Sequence, residues 1–398
     1  MATICLNMIV KNEAHVIKGT LENLLEKIPF DYWVISDTGS TDGTQELIRN
    51  FFADRGVPGE LFEDEWEDFG SNRQKALEYA EGKTDYVLFF DADDRVEGTP
   101  VLPDLVEANY YLKMTDEGGT SEYSRPLLVK NDGSFRWRAV LHEYLLDTQS
   151  RGYTLIQGDY VVISGRTGGR NLLPDKYKND ALVLEKALAE GRDPDLRHRY
   201  MFYCAQSWAA AGDSEKSTYW YEERAKEQGW DQELAVTLYR LGQHYDSVDE
   251  AKAIYYWLRS AEAFPKRAEA WYQLSRVNSW AGRHQVAYPF AKEAVKAAKS
   301  KGETIYLFGS KIINRLWVHY ELFMNAFYAG YLEESYQALK DVIYADERSD
   351  LYETELEKLE QLAVFVAEDS FAEVSKLREF LESRQKKTVL EALGLIKG

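Results

Sequence analysis

The sequence has two cysteines in 398 residues, Cys5 and Cys204, each set inside a hydrophobic pattern. That is too few for a scaffold built on disulfides, and it fits a reducing compartment. Long apolar runs are missing as well: no stretch approaches the roughly 18–20 residues needed to cross a bilayer. The opening "MATICLNMIVKNE" has no basic leader, and its apolar run is too short for a signal peptide, so the expectation is a soluble, cytoplasmic chain. Positive charge is in deficit, with 48 Lys and Arg against 67 Asp and Glu and a net charge of −19. Such a field argues against a protein that coats nucleic acid by neutralising phosphates. Low-complexity tracts are absent too, so the chain reads as globular. Its length is too great for one ordinary core, so two domains are expected. What is abundant is aromatic: 27 Tyr, 17 Phe and 10 Trp, densest after residue 200, where helices are expected to pack on one another.

The first half alternates short apolar runs with helical patterns. "TICLNMIV" (Thr3 to Val10) reads as a strand, followed by a helix around Ala14 to Lys27. "YWVISD" (Tyr32 to Asp37) is a second strand, with a helix from about Thr44 to Arg55 behind it. "GELFED", a helix from about Ser71 to Ala80, and "YVLFF" (Tyr86 to Phe90) continue the series. Near-continuous apolar strands alternating with helices imply a parallel sheet covered on both faces. From about Tyr123 to Ser164 β-like runs dominate, which predicts a mixed or antiparallel extension of that sheet. The second half is helical and repeats. "YCAQSWAAAGD" begins at Tyr203, "YRLGQHYDSVD" at Tyr239 and "YQLSRVNSWAGR" at Tyr272, and each precedes a second amphipathic run. A helix pair recurring near 34 residues is the pattern of tetratricopeptide repeats. Gly212 and Gly282 fall at the turn inside the pair, Val248 takes that place in the middle unit, and Gly330 marks a divergent fourth. "SGRTGGRNLLPD" (Ser164 to Asp175) is the expected hinge. The divisions are therefore 1–165 for an α/β domain, 166–198 for a linker and connecting helix, and 199–398 for an all-α repeat domain.

Polar clusters stand at three of the expected strand ends, where an open parallel sheet binds ligands. They are Lys11-Asn12-Glu13, "SDTGSTDGT" (Ser36 to Thr44) and Asp91-Ala92-Asp93-Asp94. Asp91 and Asp93 are two apart, so in extended chain both carboxylates leave the same face. Two anions held together call for a hard divalent cation such as Mg²⁺ or Mn²⁺, with positions left over for a diphosphate. The competing reading is a carboxylate pair at a solvated turn. Thr41 or Asp42 is expected to cap the helix at Thr44, whereas Asp37, at the very end of its strand, suits an acceptor for a base or ribose.

In this order and spacing, "NMIVKNE", "VISDTGSTDGT", "WEDFGSNRQKAL" and "DYVLFFDADD" resemble the N-terminal half of family 2 glycosyltransferases of the GT-A fold. The resemblance implies a GT-A domain that uses a nucleotide-sugar, with a UDP-sugar as the expected donor. It places Asp37 on the base, Arg73 on the nucleotide, and Asp91 and Asp93 on ribose and the metal–diphosphate. Val10, Asn12, Glu13 and Ala92 complete the implied donor-binding set. "FRWRAVLHEYL" (Phe135 to Leu145) resembles the W-x-G-x-x-H-E element of lipopolysaccharide-core transferases and sublancin-type peptide S-glycosyltransferases, with Ala139 in place of the Gly. By that resemblance Glu143 is the general base, with His142 as a second catalytic candidate and as a metal ligand beside Asp91 and Asp93. His142 and Glu143 share a site only if the strand ends there, since neighbours in a strand face opposite ways. Relatives often carry a further His after the next strand, where this chain has Ser164. Arg166 and Arg170 could supply positive charge to the diphosphate instead. Trp66 and Phe69 match aromatic positions expected to pack near the nucleotide pocket.

The implied activity is an inverting, metal-dependent transfer of a sugar to a peptide, protein or glycan acceptor. The repeats are expected to hold that acceptor or to form a homodimer. Two other classes compete with it: a repeat scaffold carrying an inactive transferase-like domain, and a phosphatase-like hydrolase built on "FFDADDR". The latter needs a small hydroxyl residue or Val where Arg95 stands.

Overall fold

A computed structural model describes residues 2–119, 122–172, 174–300 and 306–396, so Leu173 of the expected hinge lies outside the described residues. The chain forms two compact units, Met1–Trp220 and Tyr221–Gly398.

The first unit is built on strands β1 (Ile4–Val10), β2 (Tyr32–Asp37), β3 (Gly59–Glu63), β4 (Tyr86–Phe89), β5 (Arg95–Val101), β6 (Asn109–Asp116), β7 (Glu122–Lys130), β8 (Phe135–Arg138), β9 (Tyr144–Asp147), β10 (Thr154–Leu155) and β11 (Gln157–Ser164). The main sheet runs β3-β2-β1-β4-β7-β6-β11-β5, with β10 added beside β6, while β8 and β9 form a separate ribbon. β1 to β4 are mutually parallel, and β7 enters antiparallel between β4 and β6. The parallel part is the one expected from the alternating pattern, and β7 supplies the antiparallel extension expected from the β-rich stretch after Tyr123. β5 and β6 lie before the expected start of the β-rich stretch. Their sequences, "RVEGTPV" and "NYYLKMTD", carry charges and a proline that hide the strand rhythm.

Period-2 alternation in β1 explains how both faces of the sheet are filled. Ile4, Leu6 and Met8 pack against helices α1 (Ile17–Lys27) and α2 (Thr44–Arg55). Cys5, with Val34, Val87 and Phe89, packs the other face against α3 (Phe69–Tyr79) and against Trp137 of the ribbon. Asn7, polar in the middle of this strand, donates to the carbonyl of Ala76 at 2.8 Å, which satisfies its amide inside the core. Helices α4 (Lys176–Ala189), α5 (Arg197–Ala210) and α6 (Ser214–Arg224) follow. α4 and α5 share an apolar cluster with Val140 and Leu141 of the ribbon loop.

The second unit stacks paired helices: α7 (Asp231–Tyr245) with α8 (Glu250–Ala263), α9 (Ala268–Trp280) with α10 (His284–Ser300), and α11 (Val318–Ala329) with α12 (Leu332–Ala345). The turns at Gly282 and Gly330 are left-handed, with φ of +70° and +88°, which a residue with a Cβ rarely adopts. Short α13 (Asp350–Glu353), then α14 (Leu356–Val366), α15 (Phe371–Ser383) and α16 (Lys387–Ala392) share one apolar core with α11 and α12. The result is the helical, tetratricopeptide-like second half that the repeats predict.

Candidate active site

The carboxyl ends of β1, β2 and β4 meet in one place. After β2, Asp37 is fully buried; one oxygen accepts from the backbone N–H of Gly39 (3.0 Å) and Ser40 (2.8 Å) and from the Gln45 amide (2.9 Å). Its other oxygen, Oδ2, is buried with no partner among the described residues. A buried acceptor left unpaired costs about 1–3 kcal/mol, so Asp37 Oδ2 has capacity for one more donor. Asn12 and Glu13 brace the same loop: their N–H groups donate to Ser40 Oγ and Thr44 Oγ1, and Asn12 Oδ1 accepts from Thr41 N–H at 2.8 Å. The Val10 carbonyl accepts from Thr38, and that of Ala92 from Thr20. Gly43, not Asp42 or Thr41, is the residue at the helix cap. Asp42 acts from one place earlier, accepting from Thr44 and from the Ala14 N–H.

Asp91, Asp93 and Asp94 do not leave an extended strand. β4 ends at Phe89, and the three lie in a turn closed by Asp94 N–H donating to the Asp91 carbonyl. The premise that alternation would put Asp91 and Asp93 on one face is therefore corrected, and the two carboxylates meet different partners. Asp91 accepts from Arg73 Nη2 at 2.5 Å, and Arg125 Nη1 stands 3.8 Å from its other oxygen. Arg73 is itself buried on α3, where Asp68 caps the helix, and its Nε donates to Glu143 at 2.8 Å. One guanidinium thus bridges the aspartate after β4 and the glutamate after β8, with Trp137 lying 5.1 Å away under its cationic face. Burial pushes both carboxyls up, but the charge and hydrogen bond of Arg73 together with the Arg125 charge outweigh it and hold each below its ordinary range.

Asp93 takes the N–H groups of Thr167 (3.0 Å) and Gly168 (2.7 Å), Asp94 takes that of Gly165, and Glu13 takes that of Gly169. The hinge segment therefore folds back over the acidic turn, and His15 fastens it at the Thr167 carbonyl. Gly165 is there because nothing larger fits: a Cβ would fall 2.0 Å from the Asp93 carbonyl oxygen. Burial and the Asp93 charge push Glu13 up to about 7, and burial and the Asp91 charge raise Asp94 well above its usual range. Crowded carboxylate oxygens of this kind suit a hard cation. No group of three His, Cys, Asp or Glu is gathered to hold one among the described residues. His142 is not brought to Asp91 and Asp93 as a third ligand.

Ala139 to Glu143 form the loop between β8 and β9, so the ribbon does end where His142 and Glu143 need it to. Ala139 and His142 are left-handed, with φ of +81° and +54°. That backbone turns Glu143 inward to Arg73, while His142 is exposed and stacks on Tyr203 at 3.9 Å. Trp66 is exposed and meets Phe69 edge-on, and the Arg170 guanidinium covers Phe69 at 4.3 Å. Arg170 also pairs with Asp180. Arg166 is exposed. Arg125 was invisible in the sequence because no motif contains it; the signal is in the pairing. β7 aligns Leu128 with Leu88, and three more steps in that register bring Arg125 opposite Asp91.

Residues 5–111 match the family described as "Glycosyl transferase family 2". Among solved structures, the chain is similar to S. aureus TarS 1–349 in complex with UDP-GlcNAc, at 13% identity and a TM-score of 0.36, covering 66% of this chain and 91% of that one. It is also similar to MamA 41-end from Desulfovibrio magneticus RS-1, at 15% identity and a TM-score of 0.31, covering 50% and 97%. BtubC from P. vanneervenii aligns at 14% identity and a TM-score of 0.35, covering 42% and 72%.

Proposed function

We propose that this chain, whose N-terminal region is a glycosyl transferase family 2 domain, is an inverting glycosyltransferase that moves a sugar from a nucleotide-sugar, a UDP-sugar being the first to test. We assign the transfer to residues 1–165, the connection to 166–198, and acceptor recruitment to the tetratricopeptide-like helices within 199–398.

The observation that carries this reading is the Arg73 bridge between Asp91 and Glu143. It puts a cation for a departing phosphate and a carboxylate for an incoming nucleophile within one guanidinium's span. Asp37 Oδ2 accepts an N–H of the base, and Asn12 and Glu13 hold the loop that presents it. Glu143 takes the acceptor's proton as the acceptor attacks the anomeric carbon from the face opposite the diphosphate. The carbon–oxygen bond to the diphosphate breaks, and the charge appearing on the phosphate oxygen is met by Arg73 and Arg125. Asp91 and Asp93 would hold Mg²⁺ or Mn²⁺, which supplies further neutralisation at the diphosphate. When the diphosphate engages Arg73, Glu143 loses the charge that depresses its basicity and becomes a better base.

Melting the protein against a panel of nucleotides tests this. A ligand at 100 times its dissociation constant should stabilise by about 2.7 kcal/mol. Asp37→Ala should weaken nucleotide binding by on the order of tenfold or more, the worth of one hydrogen bond to a charged group. A chain that no nucleotide stabilises, with or without Mn²⁺, is not a nucleotide-sugar transferase.

A further inference from the structure

The strap of residues 165–169 is pinned to the acidic turn more firmly than a linker needs. Thr167 and Gly168 both donate to Asp93 Oδ2, at 3.0 and 2.7 Å, which fills the two lone pairs of that oxygen. His15 Nε2 donates to the Thr167 carbonyl at 2.7 Å. That carbonyl and the Gly168 N–H belong to one trans peptide and point opposite ways, so His15 and Asp93 grip the peptide plane from its two edges. Gly165 donates to Asp94 at 2.9 Å, and Gly169 lies 3.2 Å from both Glu13 oxygens. The glycines have little room for anything larger: a Cβ at Gly169 would stand 2.8 Å from the Asn12 carbonyl oxygen, and one at Gly168 would stand 3.1 Å from Asp93 Oδ2.

These bonds leave the two aspartates with one open oxygen each. Asp93 keeps Oδ1, which has no partner among the described residues. Asp91 gives Oδ1 to Arg73 and keeps Oδ2, with Arg125 at 3.8 Å, beyond hydrogen-bonding range. We infer that the strap, clamped by His15, is the outer shell of the cation site and selects the cation, because it holds Asp93 so that only one oxygen faces outward. The inference rests on the transferase reading above and says how that site chooses its metal. Ca²⁺ takes many oxygens, often two from one carboxylate, whereas Mg²⁺ is octahedral and is held by one or two carboxylates together with substrate phosphates. Mn²⁺ accepts the same octahedral oxygen set. Single oxygens from Asp91 and Asp93 therefore favour Mg²⁺ or Mn²⁺ and disfavour Ca²⁺. His15 acts through the 167–168 peptide, which makes it a positioning residue.

The test uses the full chain saturated with UDP. Mn²⁺ binding is read from the electron paramagnetic resonance of free manganese, with Ca²⁺ as competitor. Wild-type protein should prefer Mn²⁺ to Ca²⁺ by about tenfold or more. Gly168→Ala, which sets a methyl against the Asp93 carboxylate, should weaken Mn²⁺ binding about tenfold or more, the usual cost of losing an outer-shell partner. His15→Ala should weaken it in the same direction and narrow the preference over Ca²⁺, and His15→Gln, which keeps a donor at similar reach, should restore both. UDP affinity without metal should stay unchanged in all three. His15 is exposed, so its variants remain informative should Gly168→Ala misfold. Gly152→Ala, where a Cβ meets nothing, should behave as wild type. Ca²⁺ bound as tightly as Mn²⁺ by the wild type, unchanged Mn²⁺ binding in both Gly168→Ala and His15→Ala, or tighter binding in either, which would make the strap a competitor of the cation, each overturns the inference. UDP bound with no Mn²⁺ overturns it as well and leaves the transferase reading standing, whereas protein that binds no UDP defeats that reading and the inference with it.

Discussion

Two small residues set the positions of the proposed chemical groups. Gly165 leaves no room for a methyl against the Asp93 backbone. Gly165→Ala is expected to cost about 1–3 kcal/mol of stability and to displace Asp93, so that divalent cations no longer strengthen nucleotide binding in a calorimetric titration. Ala139 has the opposite character: it holds a left-handed backbone where its methyl is strained, at roughly 1–2 kcal/mol. Ala139→Gly should therefore change the melting temperature little, because relief of strain offsets the lost methyl and the added chain entropy. The same change at Ala76, buried within α3, should cost about 1 kcal/mol or more; equal losses at both positions would refute the strain argument. Asp37, Arg73, Asp91 and Glu143 were nominated as site candidates by the order of the motifs and by the resemblance. Their partners were not, since Arg125 reaches Asp91 through strand pairing and the hinge reaches Asp93 through backbone N–H groups, which no side-chain motif encodes.

At the scale of elements, the helical unit carries an acid whose environment opposes its charge. Glu321 of α11 is buried, accepting from Asn325 (2.9 Å) and from Ser275 of α9 (3.2 Å). Burial pushes its carboxyl up to about 7 from 4.5, against the pull of those hydrogen bonds. Because the folded value is raised, its contribution to stability is fully present below about pH 4.5 and is lost as pH climbs through about 7. Glu321→Gln keeps an acceptor without the charge, so it should raise stability by roughly 1–3 kcal/mol at pH 8 and leave it nearly unchanged at pH 5. Denaturant melts at the two pH values check this, and a variant destabilised equally at both would contradict it. Elements with a clean rhythm were the readable ones: β2 and α2 fall at their expected bounds. β5 and β6 were not, because their charged and proline-bearing sequences fit a strand only through the neighbours they pair with.

For the molecule as a whole, the transferase reading predicts where a nucleotide acts. Hydrogen exchange with UDP and Mn²⁺ should slow at residues 11–13, 37–45 and 90–94 and at 165–169, and should not change along α9 to α12. Protection centred on the helical unit would move the proposed nucleotide site out of the region that matches the family 2 model. The order of α/β and repeat segments was open to sequence reasoning because each half keeps its own period over many residues. The way the hinge covers the acidic turn was not, since it joins residues more than 70 positions apart.

The two thiols set in the first unit give it a built-in reporter. Burial pushes Cys5 up to about 12 and raises Cys204 too, so neither offers an alkylating agent much thiolate while the unit is closed. Cys5 belongs to the central strand that aligns Val10 with Asp37. Its rate of modification therefore clocks how often the central sheet opens, with no cysteine in the second unit to confuse the count.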